Sequence, residues 1–568
     1  MIKRKKYHLQ SALLVAFILS MSAAYAATNP PAPDAGTVLK DIERNQEKKQ
    51  LDLPKPDEGI KGKKEKTGTK VKIKSFEFKG NDSVTTEELE KVVAKYIGQE
   101  LTVDDLQELP VILNAYYREK GWLSDITLPN QDVTNGIVRF NVVEAKFGGA
   151  DLALQPQDSG YYVNPSIVKG IVDSHMGSDK KLNLKALDRA LLIANDLPGV
   201  SVKGVLQAGK KSGETDVAVS IKNKPRFTSV VSTDNYGARS TGRARLLGDF
   251  TYASPLRLGD KLNLSLLKTE GVEYGRLSYN VPFGNKGLTV GVNGSFLQYE
   301  VVSRDLGKSS HVRGFSKSAG LEARYPVIRT QSTNLYANTN YDFKHFKNKS
   351  DVLESQSEYN VNTFTIGLTG DHFDQFILNG ASNNASLQLT SGNNQKNTSD
   401  GSHGRFNKLN WNYNRNQFVI TNYTLNLRAS GQFSDSNLDS SQKFYIGGAS
   451  GVRAYPSSEG SGSSGYLVNL ELKRDLPMNF AVSGFYDIGH VKQFEDLGSN
   501  TTLIGQGGNV ATYKGVGAQL SWQGPYQSSF SGIVARRIGE NPNPTSTGND
   551  QDGTKRSNVV WVNGAIVF

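Results

Sequence analysis

From Arg226 to Phe568 no apolar run is long enough to cross a bilayer as a helix, yet the residues alternate polar and apolar between sharp turns. A spanning helix needs about 20 consecutive apolar residues. In lipid only helices and closed barrels pair all of their backbone groups. If this stretch is membrane-embedded, it is a barrel. Short turns are expected near Ser254-Pro255, Pro282-Phe283-Gly284, Pro326, His372-Phe373, Gln417, Asp475-Leu476-Pro477 and Gly524-Pro525. Most steps between them are about 45 residues, which is two strands and one longer loop. Seven short turns on one rim imply eight hairpins and hence about 16 strands. Loops rich in Gly, Asn and Ser, over Ser303 to Gly314, Lys347 to Ser357, Gly392 to Gly404, Asp435 to Gly465, Glu495 to Gly507 and Glu540 to Ser557, belong to the other rim.

The faces are readable locally. Val560, Val562, Ile566 and Phe568 share one face of the last strand. Between Ala481 and His490, Ser483, Phe485 and Asp487 share one face, and Val482, Tyr486 and Ile488 the other. A carboxylate in lipid is costly, so Asp487 is expected to face the lumen. The stretch Phe444 to Tyr455 joins a strand end, a run of small residues and a single Arg453, and a Gly/Ser segment from Pro456 to Gly465 follows. A charged loop inside a barrel pattern suggests a tether folded into the lumen, at about 435–465.

Composition fits this reading. Mean hydropathy is −0.45, as expected when only every second strand residue meets lipid. The formal net charge of +11 suits an anionic surface, an acidic partner or nucleic acid, but no basic stripe is interleaved with aromatics, which argues against nucleic acid. The absence of cysteine excludes a disulfide scaffold and a Cys-based zinc site.

The N-terminus reads as an export signal. Lys3, Arg4, Lys5 and Lys6 precede the apolar core Ala12 to Leu19, and Ala24-Tyr25-Ala26 is a small-x-small cleavage site, giving a signal peptide over 1–26. In 27–51, Ala35 to Leu51 carries only the narrow stripe Val38, Leu39 and Ile42, so it is not expected to be a core element. It is either a solvated leader or a polar plug for a wet lumen. Pro, Gly and Lys make 52–70 a linker.

Two small α/β modules follow, over 71–146 and 147–224. In the first, Val71 to Phe78 alternates as a strand. Thr85 with Glu88, and Thr102 with Asp105, are helix-capping pairs. Leu106, Leu109, Leu113, Tyr116 and Tyr117 form an apolar face, and Pro110 is expected to kink or shorten that helix. Strands follow around Trp122 to Leu128 and Ile137 to Val143. In the second module, helices over Val163 to Val172 and Asn183 to Leu197 precede strands at Val200 to Gln207 and Thr215 to Ile221. Such open sheets have free edges to which a partner strand can add. No Gly-x-Ser-x-Gly elbow, His-Glu-x-x-His pair or P-loop occurs, so neither an enzyme nor a cofactor or metal site is expected. His311, His372, His403 and His490 read as loop or barrel residues.

Several motifs together resemble one family. They are Tyr116 with Gly121-Trp122, Leu128-Pro129 and Asn135-Gly136-Ile137-Val138 in the first module, and Asn195-Asp196-Leu197-Pro198-Gly199-Val200 in the second. Asp234-Asn235-Tyr236-Gly237, Thr241-Gly242 and Ser254-Pro255-Leu256-Arg257-Leu258-Gly259-Asp260 open the barrel. Val452-Arg453-Ala454-Tyr455 is similar to the Val-Arg-Gly-Tyr tip of a sixth extracellular loop, with Ala in place of Gly. Phe485-Tyr486-Asp487-Ile488-Gly489 matches a Phe-x-Asp-x-Gly strand. The chain thus resembles the ShlB/FhaC/HecB outer-membrane transporters of two-partner secretion, within the Omp85 superfamily.

The resemblance implies a transmembrane β-barrel of about 16 antiparallel strands, preceded by two periplasmic POTRA domains and an N-terminal plug helix bearing Val38, Leu39 and Ile42. It implies a gating set of Val452, Arg453, Tyr455, Phe485, Asp487 and Gly489, in which Arg453 reaches down the lumen to Asp487. The implied partners are one large secreted β-rich exoprotein, bound through its N-terminal secretion domain, the outer-membrane lipid, and the barrel-assembly machinery, which would read the C-terminal strand ending in Phe568. The exoprotein would be an adhesin, a haemolysin or a contact-dependent inhibition toxin, passed unfolded and without ATP. A barrel-assembly insertase of the same superfamily is the alternative.

Overall fold

The computed structural model describes residues 33–46, 70–154, 160–177, 180–211, 213–303, 311–351, 354–396, 402–498 and 508–568. The signal peptide and nearly all of the linker lie outside the described residues. The chain begins with a helix, α1 (Ala35–Gln46), and continues into two stacked modules.

In the first module β1 (Lys70–Lys72) and β2 (Ser75–Lys79) lead into α2 (Thr86–Val93). Then come β3 (Glu100–Thr102), α3 (Val103–Lys120), β4 (Ser124–Thr127) and β5 (Ile137–Glu144). The sheet order is β2-β5-β4, with β2 parallel to β5. Thr102 and Asp105 form a reciprocal capping box. Thr85 caps α2, while the Glu88 carboxylate turns to Lys120 at 2.6 Å. The expected break at Pro110 is absent, because α3 runs unbroken through it. Leu106, Leu109, Leu113 and Tyr117 are all buried on one side, and that packing outweighs the roughly 3 kcal/mol interior cost of proline.

The second module repeats the order with β6 (Lys146–Leu152), α4 (Pro165–His175), α5 (Leu184–Asn195), β7 (Val200–Ala208) and β8 (Glu214–Asn223). Its sheet order is β6-β8-β7. Strand β6 has no counterpart in the sequence reading, since its Gly-Gly pair and lone Phe147 give little alternation. Asn195 explains one motif: its amide donates to the Leu191 and Val202 carbonyls and its oxygen accepts from Val202 N, binding α5 to β7.

The rest is a closed antiparallel barrel. Its strands are β9 (Phe227–Asp234), β10 (Arg245–Ala253), β11 (Lys261–Lys268), β12 (Val272–Phe283), β13 (Leu288–Glu300), β14 (Val312–Arg329), β15 (Thr333–Ser350), β16 (Ser355–Asp374), β17 (Ala381–Asn394), β18 (Gly404–Ile420) and β19 (Tyr423–Ser434). A two-residue hairpin, β20 (Phe444–Tyr445) with β21 (Ser461–Gly462), lies within the long loop that follows. The barrel then resumes with β22 (Ser464–Asp475), β23 (Phe480–Lys492), β24 (Val510–Gln523), β25 (Ser528–Arg537) and β26 (Asn558–Val567). Sixteen strands close the cylinder, β26 pairing with β9. Leu266, Leu277, Val292, Leu321, Phe364 and Leu368 are exposed on the outer wall, as a lipid-facing surface requires.

Three expected turns are displaced. Pro326, His372-Phe373 and Gln417 lie inside strands, and the chain reverses beyond them, after Arg329, Asp374 and Ile420. Pro326 sits where the β14–β15 register shifts, a bulge that tolerates a missing N–H. Strands β15 and β16 also run further into the loop expected over Lys347 to Ser357. Narrow as its stripe is, α1 is a core element, contrary to the sequence reading. Ala35, Val38, Leu39 and Ile42 are buried in one cluster with Leu297, Tyr299, Phe346, Tyr359 and other inward barrel side chains.

The second module is bracketed to the short-turn rim of the barrel. Arg329 makes paired bonds of 2.9 and 2.7 Å to Asp196, and Arg189 donates to the Pro326 and Val327 carbonyls. In the first rim turn Asp260 accepts from Leu256 N, Leu258 N and the Tyr279 hydroxyl, and Asn164 N donates to the Arg257 carbonyl. The Ser254 to Asp260 motif is therefore a docking turn. Asp196 is partly exposed, so its pair is worth about 0–1 kcal/mol. Reversing the charge with Arg329→Glu is expected to broaden the distance distribution between spin labels at Lys203→Cys and Gln375→Cys. An unchanged distribution would mean that the backbone bonds hold the module alone.

Candidate functional site in the barrel lumen

The loop between β19 and β22 folds inward. Val452 N donates to the Ile446 carbonyl at 2.6 Å, Gly448 N to Tyr455 at 3.0 Å and Gly447 N to Glu459 at 2.8 Å, making the tip a small self-bonded unit. Val452, Ala454 and Tyr455 are fully buried in one cluster with Leu467, Phe485, Tyr513, Ile533 and Trp561. Ala454 is not among the residues with positive φ, so the tip does not need the left-handed backbone that would favour glycine. The strand floor is cut away to receive it. A Cβ on Gly515 would come within 2.6 Å of the Ala454 Cβ, and one on Gly489 within 3.0 Å of Val452 and Ile446.

Arg453 points from this tip into the wall. Its Nε and Nη2 donate to the two Asp487 oxygens at 2.9 and 2.8 Å, and its backbone N–H also donates to Asp487 at 3.0 Å. Nη1 donates to Glu471 at 2.7 Å, and the guanidinium lies 3.3 Å from the centre of the Phe485 ring. Asn469 donates to Asp487 at 2.8 Å and to the Gly451 carbonyl at 3.0 Å. Arg453 is 7% exposed and Asp487 0%. The planar fork fits a carboxylate in a way a lysine would not. Two carboxylates thus surround one guanidinium in a site shielded from water, where screening is weak.

The sequence-derived residues Val452, Arg453, Tyr455, Phe485, Asp487 and Gly489 come together here. Val38, Leu39 and Ile42 do not; they belong to the separate cluster around α1. The two groups are joined by polar contacts. Arg44 donates to the Tyr445 and Gly447 carbonyls at 2.9 and 2.7 Å, and Asp34 accepts from Ser440 at 2.8 Å. Lys344 of β15 pairs with Glu43 at 2.7 Å. Glu471, Asn469 and Trp561 were missed in the sequence. Glu471 lies between the exposed Leu470 and Leu472, so the argument that turned Asp487 inward would have found it.

The tip also reaches the barrel's closing seam. Strands β9 and β26 pair over five residues, from Val230↔Val567 to Asp234↔Asn563, and Ser229 and Phe568 exchange two further backbone bonds, against eight or more paired residues at every other seam. Above this ladder the Trp561 indole donates to the Arg453 carbonyl at 2.7 Å, Ser457 donates to the Tyr236 carbonyl at 2.6 Å, and the Tyr236 and Trp561 rings meet edge to face. Asn235 donates to Val560 O and accepts from Val562 N, and Asp234 is paired with Arg245. The Asp234 to Gly237 motif is thus part of the seam. No cluster that could hold a metal ion occurs among the described residues.

The chain is also similar in sequence and fold to known proteins. The profile of the family described as haemolysin secretion/activation protein ShlB/FhaC/HecB matches residues 213–511, and that of the ShlB-type POTRA domain matches 71–145. The chain is 26% identical over 560 residues to the heme/hemopexin transporter protein HuxB of Haemophilus influenzae, covering 94% of this chain and 95% of that one. It is 24% identical to the hemolysin transporter protein HpmB of Proteus mirabilis, covering 63% of this chain and 65% of that one. Among solved structures, CdiB from Escherichia coli superposes with a TM-score of 0.71 at 18% identity, covering 95% of this chain and 99% of that one.

A second buried acid sets a pH dependence. Glu459, further along the inward loop, accepts from Asn541 at 2.8 Å and from Gln551 N at 2.7 Å, both in the loop between β25 and β26. Asp550, held by Arg537, and Asp552, held by Arg243, stand beside it. Burial and the Asp550 charge push the Glu459 carboxyl up to about 8. A carboxyl with a raised folded-state pKa stabilises the packed loops most below its ordinary value of 4.5, and that contribution is lost as pH climbs through about 8. A spin label at Thr547→Cys is expected to gain mobility over that rise, and Glu459→Gln to flatten the response. A rise that persists in Glu459→Gln would assign it to another group.

Proposed function

The chain belongs to the ShlB/FhaC/HecB haemolysin secretion/activation family, and on that premise we propose how this transporter captures and passes its cargo. It is an outer-membrane barrel of two-partner secretion with its POTRA domains in the periplasm. The cargo is a large β-rich exoprotein recognised through its N-terminal secretion domain. The observation that carries the reading is that α1 and the Arg453 loop both pack against inward barrel side chains and are joined to each other by polar bonds. Both are attached to the wall by side chains rather than by strand ladders, so they can leave without opening the barrel's own hydrogen bonds.

Capture falls to the POTRA modules. The edge strands β2 and β4 of the first and β6 and β7 of the second offer unpaired backbone groups, and strand addition supplies hydrogen bonds that tolerate sequence variation. Captured cargo must favour the open state, since a ligand binding both states equally shifts nothing. The helix then leaves the lumen, the loop shifts, and the chain threads outward unfolded. Folding of the cargo outside supplies the drive, because the chain has no P-loop and the periplasm offers no ATP. The barrel lies in contact with outer-membrane lipid, and the strand ending in Phe568 is the segment the barrel-assembly machinery would read. The insertase alternative has less support, since the relatives matched along most of the chain are named as transporters.

Removing one partner of a buried charge pair costs about 3–5 kcal/mol. Arg453→Ala and Asp487→Ala are therefore each expected to cut secretion sharply while the barrel still inserts and resists unfolding in detergent. Normal export by either variant would remove the clamp from the mechanism. Deleting residues 35–46 is expected to raise single-channel conductance in planar bilayers, and unchanged conductance would mean that α1 does not set the pore's cross-section.

A further inference from the structure

The lumenal wall is chemically divided, and only part of it is covered. Inward apolar side chains such as Tyr274, Leu297 and Phe346 lie under α1, which packs on β13, β14 and β15. Inward Leu467, Phe485, Tyr513 and Trp561 lie under the loop tip. Tyr359 and Val361 of β16 and Phe406 of β18 still belong to the α1 cluster, but further along the same strands β16 to β19 present a different face. Ile366, Leu368, Leu387, Leu389 and Phe433 are exposed outward, so the intervening residues point into the lumen.

One cross-strand row there reads Thr369↔Ser386↔Asn412↔Ser430. The next reads Asp371↔Asn384↔Asn414↔Arg428, and continues through Asn469 to Asp487 of the Arg453 clamp. A third runs Gly367↔Gln388↔Asn410↔Gln432. No aliphatic side chain appears in these rows between β16 and β19, and their charged members are confined to Asp371 and Arg428 at the two ends of the second row. Asn412 and Arg428 are exposed and Asn384, Ser386, Asn414 and Ser430 half-buried. The Asn414 side-chain oxygen has no hydrogen-bond partner among the described residues.

An unfolded polypeptide carries one donor and one acceptor per residue and every kind of side chain. An apolar wall would hold its apolar residues at about 25 cal/mol per Å² of contact, and a charged wall would hold or repel its charges. Carboxamides and hydroxyls both donate and accept, and each bond made at water's expense is worth only about 0.5–1.5 kcal/mol. Passage needs binding that is weak and spread over many sites. The apolar patches have the opposite character and suit parts that must reseat.

We infer that the amide- and hydroxyl-lined wall of β16 to β19 is the track along which the unfolded exoprotein slides, in extended form, past the Arg453 clamp at its border. This rests on the reading of the chain as a transporter of such a cargo. The occupant is a polypeptide backbone of arbitrary sequence, and the wall vacated by α1 is not the track.

The chain has no cysteine, so single Cys probes are clean. Ser386→Cys, Asn412→Cys and, under α1, Leu297→Cys are compared using the culture-supernatant protein that disappears when this chain is deleted, stalled in transit by a disulfide-closed loop and carrying its own single Cys upstream of the loop. A bifunctional maleimide is expected to cross-link the cargo to Ser386→Cys and Asn412→Cys and not to Leu297→Cys. Cross-linking mainly at Leu297→Cys, or equally at all three, would overturn the track while leaving the transporter reading intact. If no supernatant protein depends on the chain, the transporter reading itself falls. The double variant Ser386→Leu/Asn412→Leu is expected to slow export several-fold with normal insertion and unchanged conductance after removal of residues 35–46. Export at the parent rate would overturn the track.

Discussion

Hydrocarbon offers no partner to an unpaired amide, so the ladder between the first and last strands carries the integrity of the whole barrel. It is also the shortest ladder in the cylinder. The inward loop compensates from inside. Its Arg453 carbonyl holds Trp561 of β26, Ser457 holds the Tyr236 carbonyl just beyond β9, and the guanidinium is anchored on β22 and β23. The loop thus reaches both sides of the closing seam, through Arg453 on the side of β26 and through Ser457 on the side of β9. The Arg453–Asp487 pair is more than a loop tether, because the position of the tip against the seam depends on it.

The same economy explains the distribution of apolar residues in the lumen. A wet channel with aliphatic walls would bind whatever passed, yet two patches of this lumen are aliphatic and aromatic. Each has a dedicated cover, and each cover is attached by polar bonds at its ends. Arg44 and Asp34 reach loop atoms from opposite ends of α1, so the two covers brace each other as well as the wall. Burial of Val38, Leu39 and Ile42 contributes roughly 1.5–3 kcal/mol for each side chain. Together with the polar bonds at its ends, this burial seats α1 against the inward wall.

Much of this was legible in residue order. Period-two alternation and turn chemistry gave the strand number, and the cost of a carboxylate in lipid turned Asp487 inward. The errors have physical causes. Pro326 and Gln417 looked like turns because turn residues are read locally, whereas strand length is set by the neighbour across the ladder. Pro110 stayed helical because the buried face of α3 outweighed its lost hydrogen bond. The stripe on α1 seemed too narrow for a core because an isolated helix gives no hint that a curved barrel wall will enclose it.

The sequence by itself determined the barrel, the two α/β modules, the inward loop and the inward direction of Asp487, because alternation, capping and burial cost act within a few residues of each position, whereas the partnership of Arg453 with Asp487 was implied by the family resemblance. Only the tertiary structure decided what meets across the lumen. Glu471 joining the clamp, Trp561 bonding the tip, Gly515 clearing a space for Ala454 and α1 bonding the loop all depend on strands far apart in the chain facing one another inside a closed cylinder. Closure sets those distances, and no local pattern encodes them.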